Sequence, residues 1–123
     1  MTELFHLTER ATWEAALPTR EYRASTRGVT LEEQGYIHCS LAHQLRAVAD
    51  CVYGDADDLV VLVIDSARLT VPIRYEAPEP GADRYPHIYG PLPTDAVTTV
   101  LPVTRDSAGR PTGLTPADTG MDH

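Results

Sequence analysis

Leu59-Val60-Val61-Leu62-Val63-Ile64 is an unbroken apolar run, and its β-branched members outnumber its leucines. It shows no apolar–polar alternation, so it predicts a central strand buried on both faces. At six residues it is far too short to span a membrane. Everything around it reads as shorter and more varied. Upstream, Asp55-Ala56-Asp57-Asp58 reads as a solvated loop, and Gly54 stands where a helix would stop. The helix before it opens at Ser40 and carries Leu41, Leu45, Val48 and Val52 at steps of four, three and four, one apolar stripe.

Further out, the elements stay short. Leu4–Leu7 reads as a strand entering the domain. Thr8 is placed to cap a helix running to about Leu17, with Trp13, Ala16 and Leu17 on one face and Pro18 ending it. Thr30-Leu31-Glu32-Glu33 has the form of a capping box, and Gly35 sits at the end of the short helix it would start. Tyr36–Cys39, Val71–Glu76 and Ala96–Val103 read as strands, and Pro72 marks the second as an edge or a bulge. About six short strands with two or three helices predict an α+β fold. No regular βαβα alternation and no GxGxxG are present.

The chain of 123 residues predicts one domain, residues 1–103. Thr104–His123 is rich in Gly, Pro, Thr and Asp without apolar periodicity, and is expected to be a flexible tail. Ten basic residues, all arginine, against 18 acidic ones give a net charge of −8. That balance argues against nucleic acid and against an anionic membrane surface, since both need a positive field. The absence of lysine excludes a Schiff-base lysine and a Walker-type phosphate lysine. Cys39 and Cys51 have neither CxxC nor zinc-finger spacing, and MTELFHLTER has no signal-peptide pattern. A cytoplasmic protein is the expectation.

Three segments place a histidine in a strand-like apolar context: Phe5-His6-Leu7-Thr8, Tyr36-Ile37-His38-Cys39-Ser40 and Pro86-His87-Ile88-Tyr89-Gly90. Residues two apart on a strand share a face. If Ile37 and Cys39 point to the core, His38 and Ser40 point away together, and so do His87 and Tyr89. His6, His38 and His87 are therefore expected to converge on one cleft as acid–base groups. Ser40, Arg74, Glu76 and Tyr89 are the candidate ligand contacts. For each a plainer role stands beside the functional one: a hydrogen-bonded core histidine, a helix cap for Ser40, a surface ion pair for Arg74 and Glu76, a packing ring for Tyr89. The histidines lack the helical spacing of a zinc motif, so no metal is expected. There is no GxSxG elbow for a serine nucleophile.

The segments FHLTERATWEAA, EEQGYIHCS, DDLVVLVIDSARL, VPIRYE and YPHIYGPLP, followed by the strand DAVTTVLPV, occur in one order. Over residues 3–103 they resemble the bacterial and plant family labelled domain of unknown function 952. The resemblance implies a fold similar to ADP-ribosyltransferases: a split mixed sheet around a cleft that holds NAD in those enzymes. It would set His6 at the place of the first-strand residue that contacts the adenosine ribose, and His38-Cys39-Ser40 loosely at the second motif. The closing strand Ala96–Val103 lacks the glutamate of the transferases. The resulting expectation is a domain that binds a small anionic or nucleotide-like ligand, NAD among the candidates, with transformation of that ligand left open. Two alternatives are a metabolite enzyme with histidine acid–base chemistry and no NAD, and a non-catalytic binding module on the same scaffold.

Overall fold

The computed structural model describes residues 3–52, 58–109, 111–112 and 114. Its elements follow in chain order: β1 (Glu3–Glu9), α1 (Arg10–Ala16), β2 (Glu21–Tyr22), β3 (Ala24–Thr26), β4 (Val29–Thr30), α2 (Leu31–Gln34), β5 (Ile37–His38), α3 (Leu45–Val52), β6 (Leu59–Asp65), β7 (Ile73–Glu76), β8 (Tyr85–Ile88), β9 (Leu92–Pro93), β10 (Val97–Pro102), β11 (Thr104–Arg105) and β12 (Pro111–Thr112). The fold is α+β: mostly short strands in several small sheets, with few helices. Among the described residues every strand pairing is antiparallel, so the expected mixed sheet is corrected to an antiparallel one.

The LVVLVI run is the middle strand of a three-stranded sheet, β1-β6-β10. Its alternate residues feed two cores. Val60, Leu62 and Ile64 pack with Leu4, Trp13, Tyr22, Ile37 and Ile88; Leu59, Val61 and Val63 pack with Phe5, Leu7, Leu45, Ala49 and Leu101. A strand covered on both faces has no reason to alternate, which is why the run reads as continuous. A second three-stranded sheet, β5-β8-β7, lies beside the first. The two are joined where Phe5 and Ser40 exchange backbone hydrogen bonds, at 2.9 Å and 2.7 Å.

Several local expectations hold. Thr30 and Glu33 form the reciprocal capping box of α2, and Gly35 ends it in the left-handed conformation at φ 92°. β7 lies at a sheet edge, as Pro72 suggested. Others do not. Thr8 is still part of β1, and α1 starts after Glu9 without a side-chain cap. Trp13 and Ala16 are buried as expected, but Leu17 is exposed. Ser40 does not cap the next helix: the capping position falls to Leu41, one residue on, while the Ser40 backbone pairs with Phe5. The Gln44 side chain instead accepts from the Leu41 N–H at 2.8 Å.

The segment after residue 103 also departs from a featureless tail. β11 and β12 form a small hairpin, Arg46 donates to the Pro111 carbonyl at 3.2 Å, and Leu114 is buried in the core with Phe5 and Leu45. Gly54, Asp55-Ala56-Asp57 and residues 115–123 lie outside the described residues. Among the described residues no helix is long and apolar enough to cross a membrane.

Candidate functional site

The sheet β5-β8-β7 has two unlike faces, and the sequence period dictates which is which. Ile37 and Ile88 oppose each other in register and are fully buried, with Cys39 beside them. Burial also pushes the Cys39 thiol up, so it is an inert core residue. The register pairs His38 with His87 and His87 with Arg74, one row across three strands. Glu76 lies opposite Tyr85. By alternation Tyr36, His38, Tyr85, His87, Tyr89, Arg74 and Glu76 share the face away from the core.

On that face the side chains form one hydrogen-bonded chain. The Tyr89 hydroxyl donates to Glu76 Oε1 at 2.5 Å, and His87 Nδ1 lies 2.8 Å from the same oxygen. A carboxylate can only accept, so His87 carries a proton on Nδ1. Its Nε2 then faces His38 Nδ1 at 3.3 Å, a longer and weaker contact. Tyr36 stacks on His87 with centroids 3.9 Å apart and planes 15° from parallel, and Tyr85 lies against His38 at 5.1 Å. Both histidine rings are thus clamped between neighbours.

Electrostatics follow from these contacts. The Tyr89 hydrogen bond, then that of His87, holds the Glu76 carboxyl below the usual carboxylate range. Glu76 in turn pushes the Tyr89 phenol up. Burial, reinforced by the neighbouring charge of His87, lowers His38 from 6.5 to about 4, so it is neutral at pH 7. The Arg74 guanidinium lies 5.0 Å from the Tyr89 ring centroid and remains exposed at the rim.

These residues border a cleft of about 330 Å³, lined by Tyr36, His38, Glu76, Tyr85, His87 and Tyr89 together with Ala77 and Pro78. Of the residues singled out in the sequence, His38, His87, Glu76 and Tyr89 meet there, and Arg74 stands beside them. Tyr36 and Tyr85 were missed, although each is two residues from a singled-out histidine and so on the same face.

His6 and Ser40 are corrections: both are buried and neither lines the cleft. His6 sits inside the junction of the two sheets, where its Nδ1 lies 2.7 Å from the His38 carbonyl oxygen and its Nε2 lies 2.8 Å from the Tyr22 hydroxyl. The carbonyl only accepts, so the His6 proton is on Nδ1, and Nε2 is the unprotonated nitrogen beside the Tyr22 hydroxyl, which also lies 2.8 Å from Thr8 Oγ1. Alternation holds for His6 but does not turn it to a cleft, because β1 is covered on both faces. Among the described residues no group of three or more His, Cys, Asp or Glu is placed to hold a metal ion.

Fold and cleft define a small α+β domain with a polar, aromatic-walled site on one face of a sheet. The chain belongs to the family described as protein of unknown function (DUF952), whose model matches residues 7–100. It is similar to protein CC0527 from Caulobacter crescentus. The crystal structure of that protein shares 27% identity at a TM-score of 0.79, with 96% of this chain and 97% of that chain covered. Its solution NMR structure gives 30% identity and a TM-score of 0.72 over 90% and 92%. No curated protein matches the chain.

Proposed function

We propose that this chain binds a planar, anionic, nucleotide-like ligand in the cleft and acts on it by histidine acid–base chemistry. The observation that carries the reading is the chain Glu76–His87–His38 on the wall of an open cleft. A carboxylate that fixes one imidazole, which in turn touches a second, is the arrangement general acid–base catalysis needs. His38 donates from Nδ1 to His87 Nε2 and so keeps the lone pair on its own Nε2. When that nitrogen takes a proton from the ligand, the Nδ1 proton passes to His87 Nε2. The His87 imidazolium is then held by Glu76 through Nδ1–H.

The ligand class follows from the walls. Tyr36, Tyr85 and Tyr89 present ring faces and hydroxyls to a planar group, and Arg74 at the rim supplies charge-assisted bonds to a phosphate or carboxylate. A cleft of about 330 Å³ is at the lower end of the ~300–1,000 Å³ typical of small-molecule sites, which suits one nucleotide unit.

Two sheets joined, among the described residues, by the Phe5–Ser40 bridge and the adjoining His6–His38 hydrogen bond, with a cleft on one of them, support a likeness to the split sheet of ADP-ribosyltransferases. The donor set fits NAD in part: tyrosines for a ring, Arg74 for a phosphate, and Glu76 Oε2, which has no hydrogen-bond partner among the described residues. NAD, when bound, supplies a ribosyl group with nicotinamide as leaving group. In this reading Glu76 contacts the ligand and orients His87, while the tyrosines position the ring.

Calorimetric titration with AMP, ADP-ribose and NAD tests the reading. At least one should bind the wild type, and Tyr36→Ala and Arg74→Gln should each weaken it about tenfold. With a turned-over ligand in hand, His38→Gln should lower the rate by about 10²–10⁴-fold. Absence of binding by all three nucleotides would overturn it.

A further inference from the structure

We infer that the cleft continues into a second compartment, beyond Tyr36 and His38, where Ser25 receives a neutral hydroxyl-bearing part of the ligand. The inference rests on the ligand-binding reading of the main cleft. A cavity of about 230 Å³ is lined by Ser25, Thr26, Gln34, Tyr36 and His38. Tyr36 and His38 also line the main cleft, so the two cavities adjoin along these side chains.

Ser25 is the unusual member. It is fully buried in the middle of β3, flanked by the half-buried Ala24 and Thr26. Among the described residues, its hydroxyl is the single buried side-chain polar atom without a hydrogen-bond partner. Nearly all buried polar groups in folded proteins are paired, and an unpaired one points to a water or ligand that completes it. The sequence had a simple alternative, since alanine or cysteine would fill this position without an orphaned hydroxyl.

The remaining lining decides the chemistry. Gln34 donates from Nε2 to the Tyr36 hydroxyl at 2.8 Å, which leaves its carbonyl oxygen as an acceptor. Thr26 adds a second hydroxyl, and His38 is neutral at pH 7. No charged side chain lines the compartment, so it does not select an anion. A hydroxyl both donates and accepts, which matches a set that offers Ser25 and Thr26 hydroxyls and a Gln34 carbonyl. A sugar-like group in this compartment, attached to the ring or phosphate held in the main cleft, would place its hydroxyls next to His38.

The test uses the full-length protein, isotope-labelled, with ribose 5-phosphate and inorganic phosphate as probes, followed by amide and imidazole NMR signals. Ribose 5-phosphate is expected to move the signals of Ser25, Thr26 and Gln34 together with those of His38 and His87. Ser25→Ala is expected to weaken ribose 5-phosphate about tenfold, to leave phosphate binding unchanged, and to keep or raise the melting temperature, because it removes an unpaired buried hydroxyl. Gln34→Ala, at an exposed position, should weaken the same probe. If His38 and His87 respond while Ser25, Thr26 and Gln34 do not, or if Ser25→Ala binds ribose 5-phosphate as the wild type does, the second compartment fails and the main cleft stands. A lowered melting temperature with unchanged affinity assigns Ser25 to an internal water and overturns the inference. If neither set of signals moves with either probe, both readings fail.

Discussion

His6 Nδ1 donates to the carbonyl oxygen of His38 at 2.7 Å, so a core side chain fixes the backbone of a cleft residue. Phe5 and Ser40 are paired through their backbones next to this point. Two residues further along β1, continued pairing would bring Leu7 opposite His38. The His6 ring takes that carbonyl instead, and the two sheets part there. The site on one sheet is therefore anchored to the core of the other.

That anchor predicts acid lability. Burial, only partly offset by the hydrogen bond to the His38 carbonyl and added to by the His38 charge, lowers His6 from 6.5 to about 4. The unfolded chain takes up a proton near pH 6.5 and the folded one only near 4. Stability is thus complete above about pH 6.5 and is lost as pH falls toward 4. For fully buried His6 the loss over this window is on the order of 3 kcal/mol. Urea unfolding at pH 7, 5.5 and 4.5 should show it, and His6→Gln should reduce the slope to the part that His38, lowered over the same window, contributes, while lowering stability at pH 7. Equal wild-type stability at pH 7 and 4.5 would contradict the buried neutral imidazole.

Glu76 ties two rings together, and its removal should release one of them. The hydrogen bond to Glu76 raises the Tyr89 phenol above its ordinary pKa of 10.0. Ultraviolet titration of the wild type should show a late-ionising phenol. Tyr89→Phe should remove it, and Glu76→Gln should return it toward the ordinary range. An unchanged titration in Glu76→Gln would mean the two groups are apart in solution.

Leu114 is predicted to anchor the C-terminal segment. Its side chain is 2% exposed within the core of Phe5, Leu45 and Leu101. Leu114→Ala should cost about 2–4 kcal/mol, a fall in melting temperature on the order of 10 °C. Truncation after Val103 should cost at least as much. A truncated chain that melts with the wild type would show that the hairpin Thr104–Thr112 and Leu114 add nothing.

Gly90 holds the turn that follows Tyr89. A Cβ built there would stand 2.5 Å from Val71 Cγ1 and 2.9 Å from Val71 Cβ, too close for either to remain in place. Gly90→Ala should destabilise by about 1–3 kcal/mol. It should also weaken whatever binds the cleft, because the shift is passed to Tyr89. Val71→Ala should recover part of the stability in the double variant, and full additivity of the two losses would rule out the contact.

Within one strand, the sequence alone determined who shares a face with whom. The period of two in Tyr36–His38 and His87–Tyr89 is fixed by the pleat, and the Thr30–Glu33 cap and the double burial of Leu59–Ile64 are likewise local consequences of residue type and spacing. What only the tertiary structure decided was which strands came together and which faces were left open. His38 meets His87 because Ile37 pairs with Ile88, a choice made between residues 51 positions apart by the fit of two buried isoleucines. His6 obeys the same alternation but faces a second layer of core, so an identical local pattern gave a buried strut instead of a cleft wall. Leu114 lies in a stretch with no periodicity at all, since a single anchoring side chain leaves no pattern to read. Alternation records the geometry of one chain segment; burial of its polar face depends on what other segments do with theirs, and that is set by packing over the whole domain.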